Sequence, residues 1–86
     1  MEESKSLLLN HIDQLHTTPM GVDRIGRNLL LPPNTDVVEH CRRKILHPNC
    51  QISRQGKNWY CEIEGIIITV NAFSYTIITA HRKKLK

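Results

Sequence analysis

Apolar positions change their spacing once along the chain, near residue 50, from a helical period to an alternating one. In the first half, Leu8, Ile12 and Leu15 recur at i, i+4 and i+7 and predict a helix over residues 5–16, with Ser4 as its N-cap. Thr17-Thr18-Pro19 interrupts that pattern. Thr18 suits an N-cap and Pro19 the first helical position, so a second helix starts there. Its buried stripe is Val22, Ile25 and Leu29, and Asp23, Arg24 and Arg27 fall on its polar side. Gly21 and Gly26 inside it cost about 1 kcal/mol each relative to alanine, so either the helix is short or something packs closely on it. Leu31-Pro32-Pro33-Asn34 is a stop. A third helix follows from about Asp36 to Leu46, with Thr35 or Asp36 as its cap, Asp36 and Glu39 resembling a capping box, and Val37, Val38, Cys41 and Ile45 turned inward. Arg42, Arg43 and Lys44 close it, where positive charge suits the helix dipole.

From Cys50 onward the period is two. Gln51–Arg54 reads as a short edge strand, and Gln55-Gly56-Lys57 as a turn. Asn58–Glu64 is a strand with Trp59, Cys61 and Ile63 on one side and Tyr60, Glu62 and Glu64 on the other. Glu64-Gly65 makes a tight hairpin into Ile66–Asn71, which is dense in β-branched residues. Ala72-Phe73-Ser74 turns the chain into a last strand, Ser74–His81. The pattern predicts one α+β domain over residues 1–86, with two to three N-terminal helices packed on one face of a three- to four-stranded antiparallel sheet. The buried face takes Trp59, Cys61, Ile63, Ile66, Ile68 and Val70. The last strand offers two phases. Ile78 and Ala80 are placed inward, because the opposite phase buries Thr79 and His81. The exposed face then carries Tyr60, Glu62, Thr69, Asn71, Tyr75, Thr79 and His81, and a slip of one residue inverts the assignment.

Composition narrows the kind of site. A chain of 86 residues that is 40% apolar has little room for both a deep pocket and an intact core, so a surface groove or an open sheet face is expected. The formal charge of +4 favours a polyanionic partner, RNA or DNA. The cations gather at Arg42-Arg43-Lys44 and at the C-terminal Arg82, Lys83, Lys84 and Lys86. The three cysteines include no Cys-x-x-Cys pair, so no metal site is expected and the thiols read as reduced packing residues of a cytoplasmic protein. No apolar stretch approaches the roughly 20 residues that span a bilayer, and no signal peptide is visible. No phosphate loop, His-Glu-x-x-His motif or nucleophile triad is present, and no cofactor is expected.

Two segments, HTTPMGVDRIGRNL at 16–29 and ITVNAFSYTIITAH at 68–81, with Gly56-Lys57-Asn58-Trp59-Tyr60 before the second, resemble a small bacterial family catalogued only as a domain of unknown function. The likeness covers nearly the whole chain and implies no activity. A second resemblance is architectural. Helices followed by an antiparallel sheet with a late Tyr-Thr-Ile-Ile-Thr-Ala-His strand are similar to compact metal-independent ribonucleases, the group of barnase, the tRNA-cutting colicin domains and the RelE-type toxins. Those folds carry their catalytic residues on the open sheet face, which is analogy at the level of fold.

Metal-free RNA cleavage needs a base for the 2′-hydroxyl, an acid for the leaving oxygen and cations for the phosphorane. Histidine serves both proton roles because its ordinary pKa lies near 6.5. His81 and His16 are the candidate catalytic residues. Arg24, Arg27 and Arg82 are candidates to hold phosphate, Tyr75 to stack on a base, and Asn71, Ser74 and Thr79 to orient the substrate. Three functions follow: a metal-independent endoribonuclease; a DNA- or RNA-binding module of winged helix-turn-helix type, reading through a solvent-facing Arg42-Arg43; or a regulator with a protein partner or a homodimer contact. The first requires His16, His81, Arg24 and Tyr75 to converge in one groove.

Overall fold

The computed structural model describes residues 2–83, so Lys84 and Lys86 of the C-terminal cluster lie outside the described residues. The chain forms α1 (Glu2–Asn10), a 3₁₀ turn (Ile12–Gln14), α2 (Pro19–Asn28), α3 (Val37–Leu46) and four strands, β1 (Gln51–Gln55), β2 (Asn58–Ile63), β3 (Ile66–Asn71) and β4 (Ile77–Arg82). The strands pair antiparallel in sequence order, β1-β2-β3-β4. This is the α+β architecture the pattern predicts, with every helix N-terminal to the sheet.

The first helix is shorter than its periodicity suggests, and it encloses Ser4 rather than starting after it. At its end the chain tightens: His11 N–H donates to Leu8 O at 3.2 Å and Leu15 N–H to Ile12 O at 3.2 Å, both i to i−3 bonds. Leu8 and Leu15 are nonetheless both buried and Ile12 packs beside them. The apolar spacing therefore located the burial correctly and the helix continuity incorrectly.

α2 starts as predicted, with Thr18 Oγ1 accepting from Gly21 N–H at 3.0 Å. Its buried positions are Gly21, Ile25 and Leu29, while Val22 is exposed. The stripe is rotated because α2 lies along β4, with Gly21 packed against Thr17. A Cβ at Gly21 would run into Thr17 Oγ1, the atom that donates to Ile77 O at 2.8 Å. Helix propensity alone favours Gly21→Ala by about 1 kcal/mol. The clash reverses that sign, and the variant is expected to be less stable by about 1–3 kcal/mol. A urea midpoint at or above the wild type would show that Thr17 yields freely.

α2 also closes one edge of the sheet. Thr17 takes the Ile77 carbonyl and Asn28 Nδ2 donates to Ala80 O at 3.2 Å, so two outward carbonyls of β4 are satisfied. α3 is capped by Asp36, whose Oδ1 accepts from Glu39 N–H at 3.0 Å, and it buries Val37, Cys41 and Ile45. The β2–β3 turn has Glu64 at φ 51° and Gly65 at φ 80°, positive at both central residues as a two-residue hairpin of the right twist requires.

The buried face of β2 and β3 is the predicted one: Trp59, Cys61, Ile63, Ile68 and Val70 are buried, and Ile66 packs against them. β4 obeys neither single phase. Ala80 pairs with Ile68 but Ile77 pairs with Val70, so Ile78 is an extra residue and the ladder carries a bulge. Ala80 and Ile77 both point into the core, and Ile78 is 41% exposed, which corrects the expectation that Ile78 is buried. Tyr75, expected on the open face, instead turns under the helical layer, its ring 5.5 Å from that of Trp59 and 5.7 Å from that of His11. Thr69, on the open face, is buried by its neighbours in the sheet.

Candidate functional site

The turn between β3 and β4 gathers the largest share of the predicted residues. Asn71 opens it, its Oδ1 accepting from Phe73 N–H at 2.9 Å, Ser74 N–H at 3.0 Å and Ser74 Oγ at 3.2 Å. Ser74 Oγ lies 2.7 Å from Thr76 Oγ1, which lies 3.1 Å from His16 Nε2. The other ring nitrogen, Nδ1, is 2.9 Å from Gln14 O. A carbonyl only accepts, so Nδ1 carries a proton. Ser74, Thr76 and His16 thus form an exposed hydroxyl-to-imidazole chain anchored at Asn71.

Backbone pairing holds this chain in place. His16 N–H donates to Tyr75 O at 3.2 Å and Ile77 N–H to His16 O at 2.7 Å, a parallel bridge between residues 60 apart. Tyr75 sits at φ 60°, a left-handed conformation that a bulky residue adopts only when its surroundings impose it. Here its N–H is held by Asn71 O at 2.9 Å and its ring is packed on Trp59.

Beside the turn lies an aromatic and cationic ledge. Phe73 is 74% exposed. The Arg54 guanidinium is 5.8 Å from the Phe73 ring centroid and 5.6 Å from that of Trp59. Ala72 N–H donates to Lys57 O at 2.8 Å, which joins the β1–β2 turn to the same ledge. Neither Phe73, Arg54 nor Thr76 was among the expected site residues. Their signal was the hairpin register, which sets Arg54 opposite Trp59.

The other candidates lie elsewhere. His81 is exposed on the open face, paired across the ladder with Ile67, and its Nδ1 is 3.2 Å from Arg82 O. His16 is bonded to the start of β4 and His81 lies near its far end, about 13 Å further along at ~3.3 Å per residue. The structure therefore does not bring His16 and His81 together, because they belong to opposite ends of one strand. Thr79 is on the open face, paired with Thr69. Arg24 is exposed on α2, and Arg27 is paired with Asp23 at 2.8 Å. Arg82 pairs with Ile66 and so points to the helical side of the sheet, away from His81. Arg42 is not solvent-facing: it is half-buried, ion-paired with Glu39, and its Nε donates to Ile12 O at 3.4 Å. Only Arg43 of that pair is exposed.

The thiols do not add a nucleophile. Cys41, Cys50 and Cys61 are buried. Burial pushes the Cys41 thiol up to about 12. Cys61 is pushed up by its hydrogen bond with Cys50 and then by burial. Thiols so held stay protonated and unreactive. Among the described residues no group of three or more His, Cys, Asp or Glu is placed to hold a metal, and no helix is long and apolar enough to cross a membrane.

A family model described as "Protein of unknown function (DUF3781)" matches residues 9–81. The chain belongs to the DUF3781 family. The match includes His16, the whole β3–β4 turn and the Arg54–Phe73 ledge, so the site lies within the part of the chain that defines the family. No curated protein is significantly similar to the chain. No solved structure is significantly similar to it either.

Proposed function

We propose that this DUF3781 protein is a cytoplasmic, nucleic-acid-directed protein that binds single-stranded RNA at the β3–β4 turn. The observation that carries the reading is the exposed Phe73 ring with the Arg54 guanidinium over it and over Trp59. Single-stranded RNA is held by bases stacked on aromatic rings and guanidinium planes, with cations following the backbone. Lys57 adds a cation at the edge of the ledge, and the Ser74, Thr76 and Asn71 groups offer hydrogen bonds to a splayed base or a 2′-hydroxyl. Arg42, tied to Glu39 and Ile12, gives little support to the winged helix-turn-helix alternative.

Fluorescence anisotropy with a labelled single-stranded RNA tests the reading. Phe73→Ala is expected to weaken binding about 5- to 150-fold, the range of about 1–3 kcal/mol for one stacked base. The wild-type affinity is expected to fall as salt rises. Equal affinity of the wild type and Phe73→Ala, or no binding by the wild type at low salt, would rule it out.

The second reading, metal-independent RNA cleavage, loses the convergence of His16 with His81 that it required and rests on His16 alone as the base. It predicts cleavage of total RNA by the wild type in the presence of a chelator and none by His16→Ala. Binding without cleavage by the wild type would leave the protein an RNA-binding module.

A further inference from the structure

At the opposite end of the sheet a groove of about 420 Å³ runs between α3, the segment after α2, and the start of β3. That volume is within the range of small-ligand sites. Its floor is apolar, made by Leu29, Leu31 and Ile66, and its rim carries His40, Lys44, Glu64, Arg82 and Lys83. We propose that this groove binds a phosphomonoester borne on a nucleoside, with Arg82 and Lys44 on the phosphate and the nucleoside over the apolar floor.

The charge pattern argues for the occupant. The lining has three cations against one carboxylate, Glu64. Lys44 is ion-paired with Glu64, and Lys83 with Glu62, which faces the other side of the sheet. Arg82 has no acidic partner among the described residues. Its pairing with Ile66 places it at the groove rather than on the open face. A guanidinium fork without a carboxylate beside an ammonium suits two phosphate oxygens. A phosphomonoester is close to dianionic at pH 7, so it can meet both Arg82 and Lys44, whereas a monocarboxylate meets one of them. His40 supports the same reading. Its pKa is lowered by burial first, and then by Lys44 and Arg43, with only Glu64 acting the other way. An incoming anion offsets that surplus positive charge and favours the protonated imidazole.

Glu64 gates the site. Its carboxyl is held low by Lys44, with which it shares a hydrogen bond, so a bound phosphate must take Lys44 from it. This gives two variants of opposite sign. The proposal is independent of RNA binding at the β3–β4 turn, which lies at the other end of the sheet.

The phosphomonoester has two possible sources, a free nucleotide or the 5′ end of an RNA. Calorimetric titration with adenosine 5′-monophosphate, adenosine, and one oligoribonucleotide with and without its 5′-phosphate separates them. The 5′-monophosphate is expected to bind and adenosine not. Arg82→Gln, at an exposed residue, is expected to weaken binding about tenfold or more, and Glu64→Gln to tighten it. In NMR titrations the ligand is expected to raise the His40 pKa. Binding of the 5′-phosphorylated oligonucleotide alone would uphold the groove and assign it to RNA ends. Failure of both phosphorylated ligands to bind would overturn the proposal. So would equal binding of adenosine and its monophosphate, or an affinity unchanged in a folded Arg82→Gln.

Discussion

Trp59→Ala is expected to lower the free energy of unfolding by about 3–5 kcal/mol, the range for removing a large buried aromatic. For a chain of 86 residues the whole stability is about 4–13 kcal/mol at 0.05–0.15 kcal/mol per residue, so the variant approaches the limit of folding. Trp59 is 1% exposed, and its ring touches both functional features of the β3–β4 turn. It supports Tyr75, whose left-handed backbone holds the chain that ends at His16, and it lies under Arg54. Removing it frees the strained residue as well as opening a cavity. Trp59→Phe is expected to cost much less. It keeps a ring under Tyr75 and deletes an indole N–H that is buried with no acceptor among the described residues, a donor whose burial itself costs about 1–3 kcal/mol. Urea unfolding followed by far-ultraviolet circular dichroism measures both, since Trp59 is the one tryptophan and cannot report on its own loss. If Trp59→Phe proves as damaging as Trp59→Ala, the indole N–H is satisfied and the ring is not the element that anchors the turn.

The second large effect is on pH. Cys41 rises from an ordinary 9.0 to about 12 in the folded protein because burial disfavours the thiolate. An unfolded chain ionises that thiol near its ordinary value while the folded chain keeps it protonated, so above that value the unfolded state binds fewer protons. Stability from this residue is complete below about pH 9 and is lost as pH rises toward 12. Three pH units at about 1.36 kcal/mol each give a loss on the order of 4 kcal/mol. Cys61 acts in the same direction. The variant Cys41→Ala isolates the thiol from the rest of the chain. That variant is expected to be less stable at pH 7 but to lose stability more slowly between pH 9 and 11. Parallel curves for the wild type and Cys41→Ala would show that the Cys41 thiol ionises alike in both states.

Much of the site was legible one residue at a time, but not as a group. Asn71, Ser74 and His16 were named from their residue types and their places at element ends, and the structure joins them through Thr76. His81 was named by the same reasoning and stands apart. The difference is that His16 is drawn onto β4 by a backbone bridge to Thr76, a contact between residues 60 apart that leaves no local trace. Phe73 and Arg54 were passed over because an exposed phenylalanine in a turn and an arginine on an edge strand gain meaning only from their contact across the hairpin.

The amino-acid pattern by itself determined the element types, their order, the cap at Thr18, a cap for α3 at Thr35 or Asp36, and the inward face of β2 and β3. Each of these depends on neighbours within about one turn of helix or along one strand, where side-chain spacing and capping chemistry act directly. The tertiary structure decided where α1 stops, which side of α2 is buried, and which residues of β4 face the core. Those features answer to distant partners: Gly21 fits against Thr17 only because Thr17 is bonded to Ile77, and the extra residue Ile78 lets both Ile77 and Ala80 reach a core already shaped by β3. A period of two cannot encode a bulge, since the bulge is the place where packing across strands overrides the alternation.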